Sequence, residues 1–133
     1  MSDCFITADD ARTKGKILVV EDEEVVSQIC QAVLEKEGFA VHIAANGQEA
    51  KEMINMNHYD LFLIDILTPK MSGRQLYQWL LGTHPQLADK VVFCTGMTME
   101  GNVKKFLREN GRPLLLKPFS PDELVNTIQE TWH

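Results

Sequence analysis

Four short apolar runs, each closed by a polar or charged residue, most constrain how this chain folds. They are Ile17-Leu18-Val19-Val20 before Glu21-Asp22, Leu61-Phe62-Leu63-Ile64 before Asp65, Val91-Val92-Phe93-Cys94 before Thr95, and Leu114-Leu115-Leu116 before Lys117. Runs that are apolar at every position, rather than at alternate ones, read as strands covered on both faces, the pattern of a parallel sheet. Between them the periodicity turns helical. Val25, Val26, Ile29, Cys30, Val33 and Leu34 form the inward stripe of a helix closing near Gly38. A short strand follows from Ala40 to Ala44, then a helix from Asn46 to Met56 with Ala50, Met53 and Ile54 inward. Leu76, Trp79 and Leu80 mark a third helix that stops before Pro85, and Val103, Phe106 and Leu107 a fourth, broken by Gly111 and Pro113. Ser120-Pro121-Asp122-Glu123 opens the last: a serine cap, proline in the first turn, and acids facing the positive end of the dipole. Leu124, Val125, Ile128 and Trp132 supply its buried face.

Five strands alternating with five helices predict an α/β fold, a doubly wound three-layer sandwich. The polar, aperiodic residues 1–15 read as a flexible tail or linker, leaving residues 16–133 as one domain. At 44% hydrophobic, a chain of 133 residues is long enough to bury a core of that size. Its net charge of −6 is a poor footprint for nucleic acid, which needs clustered cations. No apolar stretch approaches the roughly 20 residues of a membrane span, and the start lacks a secretory pattern. Cys4, Cys30 and Cys94 are an odd count without CxxC spacing. Reduced core thiols in a soluble, cytoplasmic protein are therefore expected.

The chemistry sits at the run ends. In a doubly wound sheet the carboxyl ends of the strands share one rim, where ligands bind. Glu21-Asp22, extended by Glu23-Glu24, reach that rim directly; the competing reading is a solvated helix N-terminus. Asp65 stands at the edge of the core, where an unpaired carboxylate is costly, unless it serves only as a loop cap. Bringing Asp22, Asp65 and Glu21 together sets up a repulsion that a divalent cation relieves, and oxygen-only ligands favour magnesium. Thr95 alone is ordinary strand chemistry. Lys117, after three leucines, must either snorkel out or meet negative charge, and the acidic rim provides it. Acids, a hydroxyl and an ammonium together fit phosphoryl transfer, in which positioning and charge neutralisation do most of the catalysis.

Lys16 to Asp22, Asp65 to Gly73, Thr95-Gly96 and Lys117-Pro118-Phe119, in this order and at these separations, resemble a response-regulator receiver domain over about residues 16–133. The resemblance implies a flavodoxin-like (βα)5 fold with strand order 2-1-3-4-5. It implies Asp65 as phosphoacceptor and Mg2+ held by Glu21 (through a metal water), Asp22, Asp65 and the backbone carbonyl of Leu67. Thr95 and Lys117 would contact the phosphoryl group, and Lys117-Pro118 would be a cis peptide, which only X-Pro bonds adopt cheaply. The implied donor is a phosphohistidine on a sensor histidine kinase or histidine phosphotransfer protein, with no nucleic acid or membrane contact by this domain and no enzyme activity beyond assisting its own phosphorylation and dephosphorylation.

The chain departs from the family pattern in places. Thr68 stands where methionine is usual, and Leu114 where an aromatic residue usually rotates inward on phosphorylation. Leu67 and Met97, both apolar, are expected to border the path of attacking water and prolong the acyl phosphate. The segment Phe106 to Phe119 resembles receivers at the C-terminal end of hybrid histidine kinases, so a receiver from such a kinase and a stand-alone regulator are both carried forward. A non-phosphorylated protein-binding module remains a third reading. A haloacid-dehalogenase-like phosphatase needs a second Asp at the position of Leu67, and a dinucleotide site needs glycines where Glu21 to Glu24 stand.

Overall fold

The computed structural model describes residues 13–96 and 101–132. Five strands, β1 (Lys16–Val20), β2 (Ala40–Ala44), β3 (Leu61–Asp65), β4 (Val91–Thr95) and β5 (Leu114–Leu116), form one parallel sheet in the order β2-β1-β3-β4-β5. Among the described residues six helices accompany them: α1 (Glu24–Lys36), α2 (Gly47–Met56), α3 (Gly73–Thr83), the short α4 (Pro85–Ala88), α5 (Gly101–Asn110) and α6 (Pro121–Thr131). The expected strand order is observed. The expected five helices become six, because Pro85 does not only end α3: it opens α4 at the first helical position, where its missing N–H costs nothing.

Strand alternation sorts the core into two layers. Leu18, Val20, Phe62, Ile64, Val91 and Phe93 pack on one face with α2, α3, α4 and α5. Ile17, Val19, Leu61, Leu63, Val92 and Cys94 pack on the other with α1 and α6. Each such fully buried side chain contributes about 1.5–3 kcal/mol by leaving water.

Two apolar expectations need correction. The α1 stripe is not wholly inward: Cys30 and Leu34 are buried, but Val25 is 69% and Ile29 52% exposed. At roughly 100° per residue, the six apolar positions span about 180° of the helix, wider than the sheet can cover. Likewise β5 is an edge strand whose last residue, Leu116, is 58% exposed. Trp132 caps α6 half-buried, tilted against Phe39 with ring centroids 5.0 Å apart.

Lys14 and Gly15, read from the sequence as linker, are bonded into the sheet. Lys14 N donates to Gly38 O at 2.9 Å, and Ala40 N to Gly15 O at 2.9 Å. Residues 1–12, with Cys4, lie outside the described residues, as does Met97. Cys30 and Cys94 are free, buried thiols. Burial pushes Cys30 up to about 12 and Cys94 higher still, so neither is a reactive thiolate.

Candidate functional site

The order β2-β1-β3 places a topological switch beside β1, and its crevice opens above the carboxyl ends of β1 and β3. Glu21 enters it directly from β1, held by Glu21 N donating to Ala44 O at 3.0 Å. Asp65 is the last residue of β3, buried, with its backbone opposite Cys94. One step further along β4 stands Thr95, also buried, and its carbonyl accepts from Lys117 N at 2.8 Å. The Lys117-Pro118 bond is cis. Behind it the Lys117 stem lies over Gly96, where a Cβ would come within 3.2 Å of the lysine.

The Lys117 ammonium is the hub of the crevice. Nζ lies 2.8 Å from Asp65 Oδ2, 2.6 Å from Glu21 Oε1 and 3.2 Å from Glu23 Oε1. The other Asp65 oxygen, Oδ1, accepts from Leu67 N at 3.0 Å, so both carboxylate oxygens of Asp65 are fixed. Burial alone would depress the lysine, but its contacts with Asp65 and then Glu21 outweigh that and hold it well above its ordinary value. Glu21 moves the other way from an ordinary ion-paired acid. Burial, with the Asp65 charge adding to it, outweighs its share of one divided ammonium and raises it to about 7.

Glu21, Asp22 and Asp65 each bring a carboxylate oxygen within 4.8 Å of the others. Glu21 Oε1 is buried and, although 2.6 Å from the ammonium, has no hydrogen bond of acceptable angle. A buried oxygen without a hydrogen bond, in an all-oxygen set with one exposed member, fits a hard divalent cation that keeps part of its water shell. The sequence-selected residues Glu21, Asp22, Asp65, Thr95 and Lys117 thus gather at one rim. Leu67, 51% exposed, also borders the crevice.

Two features were not read from the sequence. Glu23 is a third carboxylate on Lys117, reached because the chain turns at Glu21, where Glu21 Oε2 accepts from Glu23 N at 3.2 Å. A cavity of about 710 Å³ runs from Asp22, Asp65 and Lys117 along an apolar wall of Val26, Ile29 and Phe119. The over-wide α1 stripe was the signal for that wall. Below the Leu114 position, Tyr77, Phe93 and Phe106 form an edge-to-face aromatic cluster with centroids 5.3–5.8 Å apart.

Residues 17–129 match the family model of the response regulator receiver domain. The transcriptional regulatory protein SrrA of Staphylococcus aureus is 34% identical over 115 residues, 86% of this chain and 46% of that protein. The chain therefore spans about half the length of the curated relatives it matches. A solved receiver domain of a signal transduction histidine kinase from Syntrophus aciditrophicus is 28% identical, with TM-score 0.79, covering 88% of this chain and 89% of that one. A CheY-like receiver domain protein from Methanospirillum hungatei is also 28% identical, with TM-score 0.79, covering 90% and 93%. Since the matched segment runs from β1 into α6, the chain belongs to the response regulator receiver domain family.

Proposed function

We propose that this chain takes a phosphoryl group from a phosphohistidine onto Asp65 and signals through the change that follows. The observation that carries this is the fixing of Asp65 at the crevice, with one oxygen on Leu67 N and the other 2.8 Å from Lys117 Nζ. In the transfer an Asp65 oxygen bonds to phosphorus while the N–P bond of the donor breaks, and the donor imidazole leaves with the bonding pair. Asp22, Asp65, the Leu67 carbonyl and, through water, Glu21 would hold Mg2+, which when bound would supply charge neutralisation for the phosphoryl oxygens. Lys117 then exchanges its contact with the Asp65 carboxylate for one with a phosphoryl oxygen, and the Thr95 hydroxyl takes another. The domain assists its own phosphorylation and dephosphorylation and is not otherwise an enzyme.

The donor is a sensor histidine kinase or a histidine phosphotransfer protein in the cytoplasm. The apolar wall of Val26, Ile29 and Phe119 supports this reading, since it offers a protein donor a dry surface next to the acceptor. A second reading, origin within a hybrid histidine kinase, is favoured by the likeness to the Syntrophus aciditrophicus kinase receiver.

Incubation with acetyl phosphate and magnesium, followed by intact mass, tests the core of this. One added phosphoryl group on the wild type and none on Asp65→Asn is expected. Equal labelling of both, or of neither, overturns the assignment.

A further inference from the structure

Thr68 is a buried polar residue that the phosphoryl chemistry does not use. It is 5% exposed, although it stands in the loop between Asp65 and α3, where side chains commonly face water. Its hydroxyl Oγ1 donates to Met71 O at 3.1 Å. The same carbonyl accepts from the N–H of Gly47, the first residue of α2, at 3.0 Å, so both of its lone pairs are used. The approach is close enough that a Cβ on Gly47 would run into Met71 O.

The turn from Thr68 to Met71 does not hold its shape by itself. Pro69 fixes its own φ through its ring. Lys70 takes φ +61°, a left-handed conformation that a residue with a side chain enters only at a steric cost. Such a conformation persists where the surroundings over-determine it. Here the Thr68 hydroxyl closes the turn from one end, and α2 holds the other through Met71 O.

Thr68 bears on the crevice through the peptide it shares with Leu67. The Leu67 carbonyl and the Thr68 amide form one rigid plane, so the carbonyl turns only if that plane turns. Upstream, the plane is steadied by Leu67 N, bonded to Asp65 Oδ1 at 3.0 Å. Leu67 itself, 51% exposed, adds little packing. Downstream, the buried and hydrogen-bonded Thr68 side chain supplies the second anchor.

We propose that Thr68 is a positioning residue for magnesium: its bond to Met71 O holds the Leu67–Thr68 peptide so that the Leu67 carbonyl is set in advance as a ligand. The inference rests on the reading of the crevice as a magnesium-dependent phosphoacceptor site and adds a residue outside the ligand set. A ligand that must be ordered on binding subtracts that cost from affinity, whereas one held beforehand does not. Magnesium demands near-octahedral geometry, so a wandering carbonyl is felt directly.

Four variants separate the hydroxyl from the space it fills. Thr68→Val keeps the shape and removes the donor, Thr68→Ser keeps the donor and removes a methyl group, and Thr68→Ala removes both. Ile128→Val, a core change in the layer beneath α6, controls for loss of stability alone. Magnesium binding to each full chain is measured by titration calorimetry, beside denaturant unfolding and acetyl phosphate labelling across a magnesium series. Thr68→Val and Thr68→Ala should bind Mg2+ about tenfold more weakly and need correspondingly more of it for half-maximal labelling. Their labelling rates at saturating magnesium should return close to that of the wild type. Thr68→Ser and Ile128→Val should keep wild-type affinity whatever stability they lose. Wild-type affinity in both hydroxyl-free variants, or a loss in Thr68→Ser equal to theirs, overturns the proposal. A wild type that binds no Mg2+ removes the magnesium reading and this inference with it, whereas equal binding by the wild type and all four variants removes Thr68 alone.

Discussion

The Lys117 ammonium stands 2.8 Å from Asp65 Oδ2 and so ties the end of β5 to the end of β3 across the intervening β4. The lysine side chain is only 13% exposed, and its partners Asp65 and Glu21 are 8% and 2% exposed. Substituting Lys117→Met leaves two buried carboxylates facing each other. The metal-free domain should lose on the order of 3 kcal/mol. Magnesium should recover more of the melting temperature in the variant than in the wild type, because it replaces the missing cation and no longer meets a competing one. Thermal melts with and without magnesium check this, and equal gains in both proteins would count against it.

Glu21 makes the metal-free domain sensitive to pH. Its carboxyl is raised from 4.5 to about 7, chiefly by burial, so the folded state holds a proton that the unfolded chain releases. Stability from this group is therefore full below about 4.5 and lost as pH rises through about 7. Glu21→Gln, which stays neutral, should gain about 1–3 kcal/mol over the wild type between pH 5 and pH 8. Denaturant titrations at the two pH values, without divalent ions, provide the check. An advantage that stays the same at both pH values would show that Glu21 is charged throughout.

Much of this site was legible because strand ends converge by topology, so residues as far apart as Glu21 and Lys117 could be placed together from apolar runs alone. The part that was not legible depends on how far a face is covered. Periodicity marks Val25 and Ile29 as apolar but cannot tell that the sheet ends before reaching them, nor that Leu116 lies on an edge. Glu23 escaped for another reason. Its contact with Lys117 depends on the backbone turn between Glu21 and Glu23, which leaves no periodic trace.

Gly73, at the start of α3, is needed for space. A Cβ there would lie 2.4 Å from the carbonyl oxygen of Asp65 and 2.8 Å from Ile66 Cα, and backbone cannot swing aside as a side chain can. Gly73 N also donates to Ile66 O at 3.1 Å, so α3 is bonded to the strand end that carries the acceptor. Gly73→Ala should cost about 1–3 kcal/mol as overpacking. It should also slow labelling of Asp65 by acetyl phosphate beyond what the stability loss explains. Denaturant unfolding together with a labelling time course tests both, and normal labelling of a destabilised variant would show that the acceptor tolerates the shift.

Leu67 bears on how long a phosphoryl group persists. Two residues after the acceptor, its N–H is committed to Asp65 Oδ1 at 3.0 Å while the residue is 51% exposed at the crevice, so it borders the site and does not fill the core. An attacking water must be held in line with the phosphorus–oxygen bond, and an isobutyl group offers it no hydrogen bond while occupying the approach. Asparagine is close to leucine in size and brings both a donor and an acceptor for that water. Leu67→Asn should therefore speed dephosphorylation about tenfold, equivalent to ~1.4 kcal/mol of barrier, and leave the fold intact because the site is exposed. Decay of the phosphorylated mass peak in wild type and variant measures it. A wild-type acyl phosphate that vanishes within seconds, at a rate the substitution leaves unchanged, would remove Leu67 from any role in phosphoryl lifetime.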